Sequence, residues 1–507
     1  MLVSGNSQKI FGLILSVLIF SVCVVIYPLY SANQNLYFLK GLAVNQTNFL
    51  KDDWLVNTVD PFPWFTVIVE LTDKYPGSLF FYLYFLVFSG IYFYSLMGMG
   101  KAFLSKDHPK TKYLLLFSLV VFFHSKAIEY VLSQLAPGLG QIFHFGFSQF
   151  YILGNYFQPN IFSVFLVFSI WLFLKRKYLF AVVFASIVGS LHPGFLMDSI
   201  ILNLTYLFLL YRSGIKIKRI LPFFLIWILI TIPGVFYFIA NFYPVKEVQL
   251  EASNILVNYR DPHHNIQNYW KSWPFVVQIG ILIVGFYLMK RSILSKVLTP
   301  LLVTSLLLTL FYLLTNSPII KVLFPWRTSA LLIPISLVRI ISTLISKSFN
   351  RFRLLSLYQK ELSWIIYIFI LLQVLLGISL EVYKFKYESF PEEYVYKFIK
   401  ENKIPGDVYL IPVKEQKFEF DDFRLFTGAS AFVDFKAHPY KDIELIEWYR
   451  RVRISNDFYK NPTCENLKII LENDKLSQIV LYENQSLECK NLNKVYEDSS
   501  YKLYKLM

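Results

Sequence analysis

The acidic side chains of the first polar segment are of the kind that can assist group transfer. Asp52 and Asp53 are adjacent, and Asp60 follows in the same segment. Paired carboxylates can bind a divalent metal through their oxygens, and a carboxyl whose pKa is raised by its neighbour can act as a general base. Trp54 suits stacking on a sugar ring or the membrane interface. The ordinary alternative is a solvated loop in which Asp53 or Asp60 caps a short helix.

Two adjacent histidines form a second candidate site. His263 and His264 end the stretch Arg260-Asp261-Pro262-His263-His264. Imidazole binds transition metals and, when protonated, donates hydrogen bonds to phosphate. Side chains at neighbouring positions usually diverge, so the pair is not a standard zinc motif. We predict that Arg260, His263 and His264 contact a substrate or a phosphate, and the alternative is an ordinary surface loop.

An arginine stands at the start of an apolar segment, in Phe324-Pro325-Trp326-Arg327. Arginine can bind phosphate through two parallel hydrogen bonds, and a helix N-terminus favours anions. We predict that Arg327 and Trp326 contact an anionic substrate. The alternative is that the Arg327 side chain extends to lipid headgroups.

Further ionisable residues interrupt other apolar segments. His192 precedes Pro193 and Gly194, and Asp198 lies about one and a half turns into the next helix. The two could form a histidine–carboxylate pair, or His192 could simply belong to a structural turn. Lys126 and Glu129, three residues apart, are predicted to form a buried ion pair rather than a catalytic one.

Apolar helices must position these clusters. The chain has 507 residues, of which 55% are hydrophobic and 16% charged. A soluble domain is far more charged, and several stretches reach the roughly 20 apolar residues that cross a bilayer. We therefore predict a polytopic membrane protein. About eleven crossings are predicted, at 10–31, 77–98, 113–135, 157–174, 178–191, 194–211, 220–240, 274–289, 297–314, 326–345 and 362–381.

The distribution of basic residues predicts the orientation. Five short loops, at 101–112, 175–177, 212–219, 290–296 and 347–360, contain 18 Lys and Arg and one acid, Asp107. They account for the whole net charge of +15. This pattern orients helices with these loops in the cytoplasm, so the charge does not indicate nucleic acid as a partner. The N-terminus is predicted inside and the candidate sites on the non-cytoplasmic side.

One predicted helix is too short to cross the membrane. The segment 178–191 spans about 21 Å as a helix, yet basic residues flank both ends of the hairpin that it forms with 194–211. The turn at His192 is therefore predicted to lie within the outer half of the membrane, buried in protein or lining a wet cavity.

The composition changes near residue 391. The fold class is predicted as an all-α polytopic membrane domain, 1–390 with outer loops 32–76 and 241–273, followed by a small soluble non-cytoplasmic α/β domain, 391–507. Helices are predicted there at 391–402, 441–459 and 463–473, and strands at 408–413, 424–426, 431–435, 478–482 and 502–506.

Several smaller features of the outer segments stay open. Cys464 and Cys489 could form a disulfide or remain free thiols. Asn45 and Asn484 begin sequons. The polar tips of the predicted strands, around Arg424 and Asp434, are attributed mainly to packing rather than to function.

Taken together, these features resemble the GT-C superfamily of integral-membrane glycosyltransferases. The resemblance rests on the helix count, the acid-bearing first outer loop and the soluble domain after the last helix. Asp52-Asp53-Trp54, Pro262-His263-His264 and Pro325-Trp326-Arg327 resemble the signatures of a bacterial branch of that superfamily. The resemblance implies a polyprenyl-phosphate sugar as donor, an acid of the first loop at the active site, and transfer on the non-cytoplasmic face.

We therefore predict a lipid-linked sugar transferase of the bacterial plasma membrane. The predicted catalytic residues are Asp53, Asp52 and Asp60. The predicted substrate or phosphate contacts are Arg327, Arg260, His263, His264, His192, Trp54 and Trp326. A divalent metal is a candidate cofactor, with Asp52, Asp53, His263 and His264 as its candidate ligands. The predicted partners are the lipid bilayer and the lipid-linked donor. The alternatives are a transporter or flippase of a lipid-linked or anionic solute, and an inactive relative.

Overall fold

The chain forms two compact units. The computed structural model describes residues 5–45, 50–107, 109–136, 138–386, 392–413 and 419–507. The helical unit contains Met1–Tyr27, Tyr82–Tyr237 and Asp261–Lys384, and the sheet unit contains Pro28–Phe81, Phe238–Arg260 and Phe385–Met507. The predicted outer loop 32–76 therefore belongs to the same unit as the C-terminal residues.

Long apolar helices build the helical unit. They are Gly5–Val24, Phe80–Lys101, Pro109–His124, Lys126–Leu135, Val164–Leu174, Tyr178–Leu191, Leu196–Arg212, Ile217–Asn241, Trp273–Met289, Ile293–Thr315, Ser329–Arg351 and Gln359–Lys386. Short helices lie at Ile266–Tyr269, Pro318–Val322 and Arg353–Leu357. 3-10 turns lie at Leu139–Gln141, Phe147–Gln149, Pro159–Ser163, Pro193–Phe195, Pro262–His264 and Pro325–Thr328.

Six helical stretches in the described residues are long and apolar enough to cross a membrane. They are Phe80–Lys101, Pro193–Arg212, Ile217–Asn241, Ile293–Thr315, Pro318–Arg351 and Gln359–Lys386. A bent pair would add a seventh, and four further apolar helices are shorter. A multi-pass membrane protein is thus supported, whereas the count of about eleven crossings stays a prediction.

The helices differ in how much of their apolar surface the protein covers. Only 17% of the most apolar stretch of helix Ile217–Asn241 is buried inside the protein, and Leu229 and Phe236 are largely exposed. In Pro318–Arg351 the buried share is 78%. A large exposed apolar surface is unfavourable in water. The first helix is therefore suited to contact lipid, and the second forms the interior of the unit.

The predicted helix 113–135 is broken at Ser125, a break that its apolar pattern does not indicate. Pro109–His124 and Lys126–Leu135 meet at 56°. Ser125 adopts an extended conformation, and its hydroxyl accepts a hydrogen bond from the backbone of Ile128, as an N-cap residue does. The predicted ion pair is confirmed, because Lys126 Nζ lies 2.7 Å from Glu129 Oε1.

Close backbone packing fixes the loop around Gly146 against the start of helix Ser329–Arg351. The Ser329 hydroxyl accepts a hydrogen bond from the Phe147 N–H at 2.7 Å. A Cβ added to Gly146 would lie 2.3 Å from the backbone nitrogen of Ala330. Backbone atoms cannot move aside as a flexible side chain can, so only glycine fits here.

We predict that Gly146→Ala destabilises the protein by about 1–3 kcal/mol, the usual cost of overpacking. The matched control is Gly280→Ala in helix Trp273–Met289, where an added Cβ meets nothing within 4 Å. Alanine favours a helix over glycine by about 1 kcal/mol, so the control should be neutral or stabilising. Thermal unfolding of both variants in the same detergent checks this, and an equal loss in both would contradict the packing argument.

The sheet unit combines a mixed sheet with helices. Its helices are Gln34–Tyr37, Leu39–Asn45, Pro63–Lys74, Gln249–Asn254, Ile255–Arg260, Glu393–Asn402, Phe423–Thr427, Asp442–Lys460 and Cys464–Leu471, of which Ile255–Arg260 is a π-helix. Its strands are β1 (Val408–Leu410), β2 (Ser430–Ala431), β3 (Gln478–Tyr482), β4 (Leu492–Glu497) and β5 (Tyr501–Leu506).

The strand order is β2-β1-β3-β5-β4. β1 pairs in parallel with β2 and β3, with Tyr409 opposite Ala431 and Gln478, and β5 is antiparallel to β3 and β4. Fully buried residues such as Ile411 and Val480 form a core together with aromatic rings. A small α/β domain at the C-terminus is therefore confirmed.

The strand predictions were only partly right. The strand predicted at 431–435 keeps only its first residue, since β2 is Ser430–Ala431, and the one predicted at 408–413 ends at Leu410. Residues 424–426 lie in the helix Phe423–Thr427, which ends at Gly428 in the left-handed conformation that favours glycine. β4 was missed because most of its residues are exposed, so an edge strand lacks the alternation that marks a half-buried one. The open question about the cysteines is resolved, since Cys464 and Cys489 form a disulfide. The sequon that begins at Asn45 continues into residues outside the described range.

Candidate functional site

The arginine predicted to bind an anion lies in a well-defined turn of the helical unit. Phe324 adopts the left-handed conformation, with φ of 44°, and the 3-10 turn Pro325–Thr328 follows it. The Arg327 N–H donates to the Phe324 carbonyl at 2.8 Å. This turn leads into helix Ser329–Arg351, so the backbone of Arg327 sits at the start of a long, rigid helix.

Aromatic rings surround the guanidinium of Arg327. Its Cζ lies 4.6 Å from the ring centre of Phe150, 5.5 Å from that of Phe324 and 5.7 Å from that of Phe195. Cation–π contacts at these distances stabilise a guanidinium. The guanidinium therefore lies against aromatic rings, where water screens its charge less and an anion would pair with it more strongly than in bulk water.

The turn at His192 packs against this guanidinium. A Cβ added to Gly194 would lie 1.6 Å from Arg327 Nη1, so the arginine occupies the space that a side chain would need. His192 Nδ1 accepts a hydrogen bond from the Gly194 N–H at 3.1 Å, and its ring packs on Phe195. His192 and Arg327, both predicted to contact substrate or phosphate, thus lie next to each other.

Asp198 has a partner that is distant in the sequence. The Thr328 hydroxyl donates to Asp198 Oδ1 at 2.6 Å, and both residues are buried. Asp198 is thus bonded to the residue that follows Arg327, while its pairing with His192 stays a prediction. This bond ties helix Leu196–Arg212 to the arginine turn.

The histidine pair lies in the same unit, and one expectation about it was wrong. The rings of His263 and His264 do not diverge, because their centres are 4.2 Å apart. The 3-10 turn Pro262–His264 brings them together, with the His264 N–H donating to the Asp261 carbonyl at 3.0 Å. Asp261, His263 and His264 each offer a ligand atom, and these atoms lie within 4.8 Å of one another.

His264 and Trp326 are held in defined positions. The His264 ring stacks on Phe150 at 4.2 Å, and its Nδ1 lies 2.8 Å from the Ser148 carbonyl oxygen. Trp326 Nε1–H donates to the His264 carbonyl at 3.0 Å. Trp326 is 1% exposed, so it supports the histidine backbone rather than offering a surface to a substrate.

In the sheet unit, Asp53 is the centre of a buried ion network. Its Oδ2 accepts from Arg424 Nε at 2.6 Å and from the Ala431 N–H at 3.0 Å. Its Oδ1 accepts from the backbone N–H groups of Leu55 and Val56. Arg424 also pairs with Asp434. Asp53 is 0% exposed, and its filled acceptor sites favour a structural role over the predicted catalytic one.

The other first-loop residues differ in accessibility. Asp52 is exposed. Asp60 accepts a hydrogen bond from the Phe62 N–H at 2.8 Å just before helix Pro63–Lys74. Trp54 stacks with Arg451, whose Cζ lies 4.8 Å from the ring centre. Asp52 therefore has the most accessible carboxylate of the three predicted catalytic acids.

Lys40 holds the first loop in place. Its Nζ donates to the carbonyls of Val56 at 2.8 Å, Leu55 at 3.1 Å and Thr58. Burial lowers the pKa of Lys40, and Asp60, Glu444 and Asp53 oppose this effect. The loop that presents Asp52 is thus anchored by Lys40 and by the Asp53 network.

Arg260 serves the interior of the sheet unit. Its Nη2 donates to the Lys436 carbonyl at 2.6 Å, and its Cζ lies 5.4 Å from the Phe435 ring centre. Arg260 is 5% exposed. These contacts fix the segment that follows Asp434, so the geometry favours structural support over the predicted phosphate contact.

A carboxyl in the sheet unit is buried with a vacant acceptor. Asp421 is 8% exposed, and its Oδ2 has no hydrogen-bond partner among the described residues. Burial raises the pKa of Asp421 well above its ordinary value, and the charge of Asp434 raises it further. Lys436 and Arg260 oppose this shift, and Asp422 adds to it.

We predict that Asp421→Asn makes stability less dependent on pH. Because folding raises the pKa of Asp421, its protonated form contributes stability that is complete below the unfolded carboxyl pKa of about 3.9 and is lost as pH rises through the folded value. Asparagine does not titrate. The melting temperature of the variant relative to wild type should therefore increase from pH 5 to pH 8, and a constant difference would contradict the assignment.

The predicted site residues fall into two groups. His192, His263, His264, Trp326 and Arg327 lie in the helical unit. Asp52, Asp53, Trp54, Asp60 and Arg260 lie in the sheet unit. Contacts that the sequence did not indicate come from Phe150, Gly194, Thr328, Arg424 and Asp434. Asp261 could have been found as a metal ligand, because it stands two residues before His263.

Comparison with known proteins adds a partial match. Residues 391–454 match the family model described as "Domain of unknown function (DUF6798)". The match begins before helix Glu393–Asn402, includes Arg424 and Asp434, and ends inside helix Asp442–Lys460. No curated protein matches the chain. The matched segment therefore covers part of the sheet unit and carries no assigned activity.

Proposed function

We propose that this protein is a polytopic membrane glycosyltransferase of the GT-C type that uses a lipid-linked, polyprenyl-phosphate sugar. In this proposal about eleven helices cross the membrane, the N-terminus is cytoplasmic, and the sheet unit is on the non-cytoplasmic side of a bacterial plasma membrane. The apolar helices, the basic loops between them and the small C-terminal domain support the architecture.

One observation carries the proposal. Arg327 places a guanidinium among the rings of Phe150, Phe195 and Phe324 and against the backbone of Gly194. A phosphate that leaves water needs a cation beside it, because an unpaired charge in an apolar surround is costly. Arg327 supplies that cation, and its planar donor edge suits a phosphate group.

The surroundings of Arg327 suit a lipid-linked phosphate. The donor's phosphate carries an apolar chain, which needs an apolar environment, and a sugar, which needs polar partners. The rings around Arg327 belong to the helical unit, where the arginine turn packs against the apolar helix Ile293–Thr315. Two polar rings lie nearby. His192 adjoins the Gly194 backbone that contacts Arg327, and His264 stacks on Phe150.

The acid that would activate the acceptor is assigned to Asp52 in this proposal. The resemblance to GT-C enzymes implies a first-loop acid at the active site. Asp53 already accepts four hydrogen bonds, and Asp60 accepts one before a helix. Asp52 is exposed beside them, so it can approach an acceptor hydroxyl without losing a buried partner.

A second candidate function is transport of a lipid-linked or anionic solute. The specific observation in its favour is the break at Ser125, where two helices meet at 56° next to the ion pair of Lys126 and Glu129. Broken membrane helices with ionisable residues also occur at the substrate sites of transporters.

One experiment separates the two functions. The protein is reconstituted in vesicles with a polyprenyl-phosphate sugar labelled in the sugar, and the lipid is extracted over time. A transferase releases polyprenyl phosphate and moves the label to an acceptor or to water, whereas a transporter changes the leaflet of an intact lipid. Leaflet exchange by wild type without any cleavage would contradict the transferase, and Arg327→Gln should abolish cleavage if the proposal holds.

A further inference from the structure

We propose that Asp261, His263 and His264 form a binding site for Zn²⁺ or a similar divalent transition metal, with one coordination position open. Each of the three residues offers one ligand atom, and these atoms lie within 4.8 Å of one another. The site uses Asp261 in place of the first-loop acids, since Asp53 is engaged with Arg424.

The backbone turn explains why the three side chains converge. Pro262–His264 is a 3-10 turn, closed by the hydrogen bond from the His264 N–H to the Asp261 carbonyl. The tight turn brings the ring centres of His263 and His264 to 4.2 Å. Three ligands within a segment of four residues give a compact ligand set before any metal is present.

The hydrogen bond of His264 selects the atom that can coordinate. Nδ1 lies 2.8 Å from the Ser148 carbonyl oxygen, which can only accept, so Nδ1 carries the hydrogen. The lone pair of the neutral ring is then on Nε2. Metal-binding histidines usually donate their other N–H to a carbonyl or carboxylate in this way, and the stacking on Phe150 fixes the plane of the ring.

The donor types indicate the class of metal. Two imidazole nitrogens and one carboxylate oxygen suit zinc and its neighbours, whereas magnesium and calcium prefer oxygen ligands. Zinc takes such ligands at about 2.0–2.2 Å, and three protein ligands leave a fourth position for water or a substrate. His263 is exposed, so a metal ion can reach its ring.

The position of the site suits a phosphate oxygen as the further ligand. Phe150 stacks on His264 at 4.2 Å and lies 4.6 Å from Arg327 Cζ. An oxygen of a phosphate held by Arg327 is the kind of ligand that an open zinc position accepts. Metal binding itself does not rest on the proposed function, because it can be measured in the absence of any donor.

The test is a Zn²⁺ titration of the full-length protein in detergent, purified without a polyhistidine tag and stripped with a chelator. Wild type should bind one Zn²⁺ per chain, and Co²⁺ in its place should give the visible absorption of a tetrahedral site. His263→Ala and Asp261→Asn should weaken binding by more than about tenfold, a loss that even removal of an outer partner can cause.

His263 is the decisive position because it is exposed and its loss should leave the fold intact. His264→Ala would also remove packing on Phe150 and is less informative. Glu251→Gln is the control, since Glu251 is an exposed acid outside the cluster. The proposal is overturned if wild type shows no saturable binding, if His263→Ala binds as tightly as wild type, or if Glu251→Gln weakens binding equally.

Discussion

Arg424→Ala should destabilise the sheet unit by about 3–5 kcal/mol, the cost of removing one partner from a buried ion network. Arg424 is 4% exposed and is the shared partner of Asp53 and Asp434. Without it, two buried carboxylates face each other with no cation between them. We expect a large fall in the unfolding temperature, together with early proteolysis of the C-terminal residues.

Arg450→Ala is the matched control for this result. Arg450 also pairs with two carboxylates, those of Glu447 and Asp474, but its side chain is 38% exposed. Exposed ion pairs contribute about 0–1 kcal/mol, so this variant should unfold close to wild type. Equal falls in unfolding temperature in the two variants would show that burial does not determine how much the Asp53 network stabilises the protein.

The same network separates a structural from a catalytic role of Asp53. Asp53→Asn removes the negative charge that pairs with Arg424. In one orientation it also places the amide nitrogen, a donor, where Arg424 Nε and the Ala431 N–H need an acceptor. A structural role predicts a lower unfolding temperature. Asp53→Asn with the stability of wild type but without activity would instead support the catalytic role inferred from the sequence.

Gly194→Ala should weaken binding of a polyprenyl phosphate by about tenfold or more while the protein stays folded. The new Cβ would overlap Arg327 Nη1, which is the far end of a flexible side chain and can move aside. The charge is kept, but the guanidinium is displaced from its position among the aromatic rings. Moving a binding group out of position can weaken binding as much as removing the group, when the site depends on orientation.

The measurement is a binding isotherm in nanodiscs, together with the unfolding temperature. Gly280→Ala serves as the control, because it makes the same change where an added Cβ has nothing within 4 Å. If Gly194→Ala binds the lipid as well as wild type does, the guanidinium position described here is not the one that the phosphate uses.

Apolar patterning made the helical part of the fold predictable. Long apolar runs between basic loops indicate membrane helices because burial in lipid requires them. The break at Ser125 was not predictable from that pattern, since it depends on a local cap within an apolar run. The helix at Phe423–Thr427 was misread as a strand because short apolar stretches fit either structure.

The sites show the same limit. The residue types of Arg327 and of the histidine pair indicated an anion or metal site. Their partners are distant in sequence: Phe150 and Gly194 contact Arg327, and Arg424 contacts Asp53. A carboxylate in a polar loop looks the same in the sequence whether it is exposed, like Asp52, or buried, like Asp53. Only the packing of the chain distinguishes a structural acid from an accessible one.

In the proposed function, Arg327 holds the phosphate of a polyprenyl lipid. The most direct measurement is saturable binding of polyprenyl phosphate to purified wild type, Arg327→Gln and Arg339→Gln. Arg339 is the matched control, because it lies in helix Ser329–Arg351, stacks on Phe103 at 4.1 Å and donates to the Leu288 carbonyl. We predict binding by wild type and Arg339→Gln and its loss in Arg327→Gln; equal binding by all three, or binding by none, would contradict the claim.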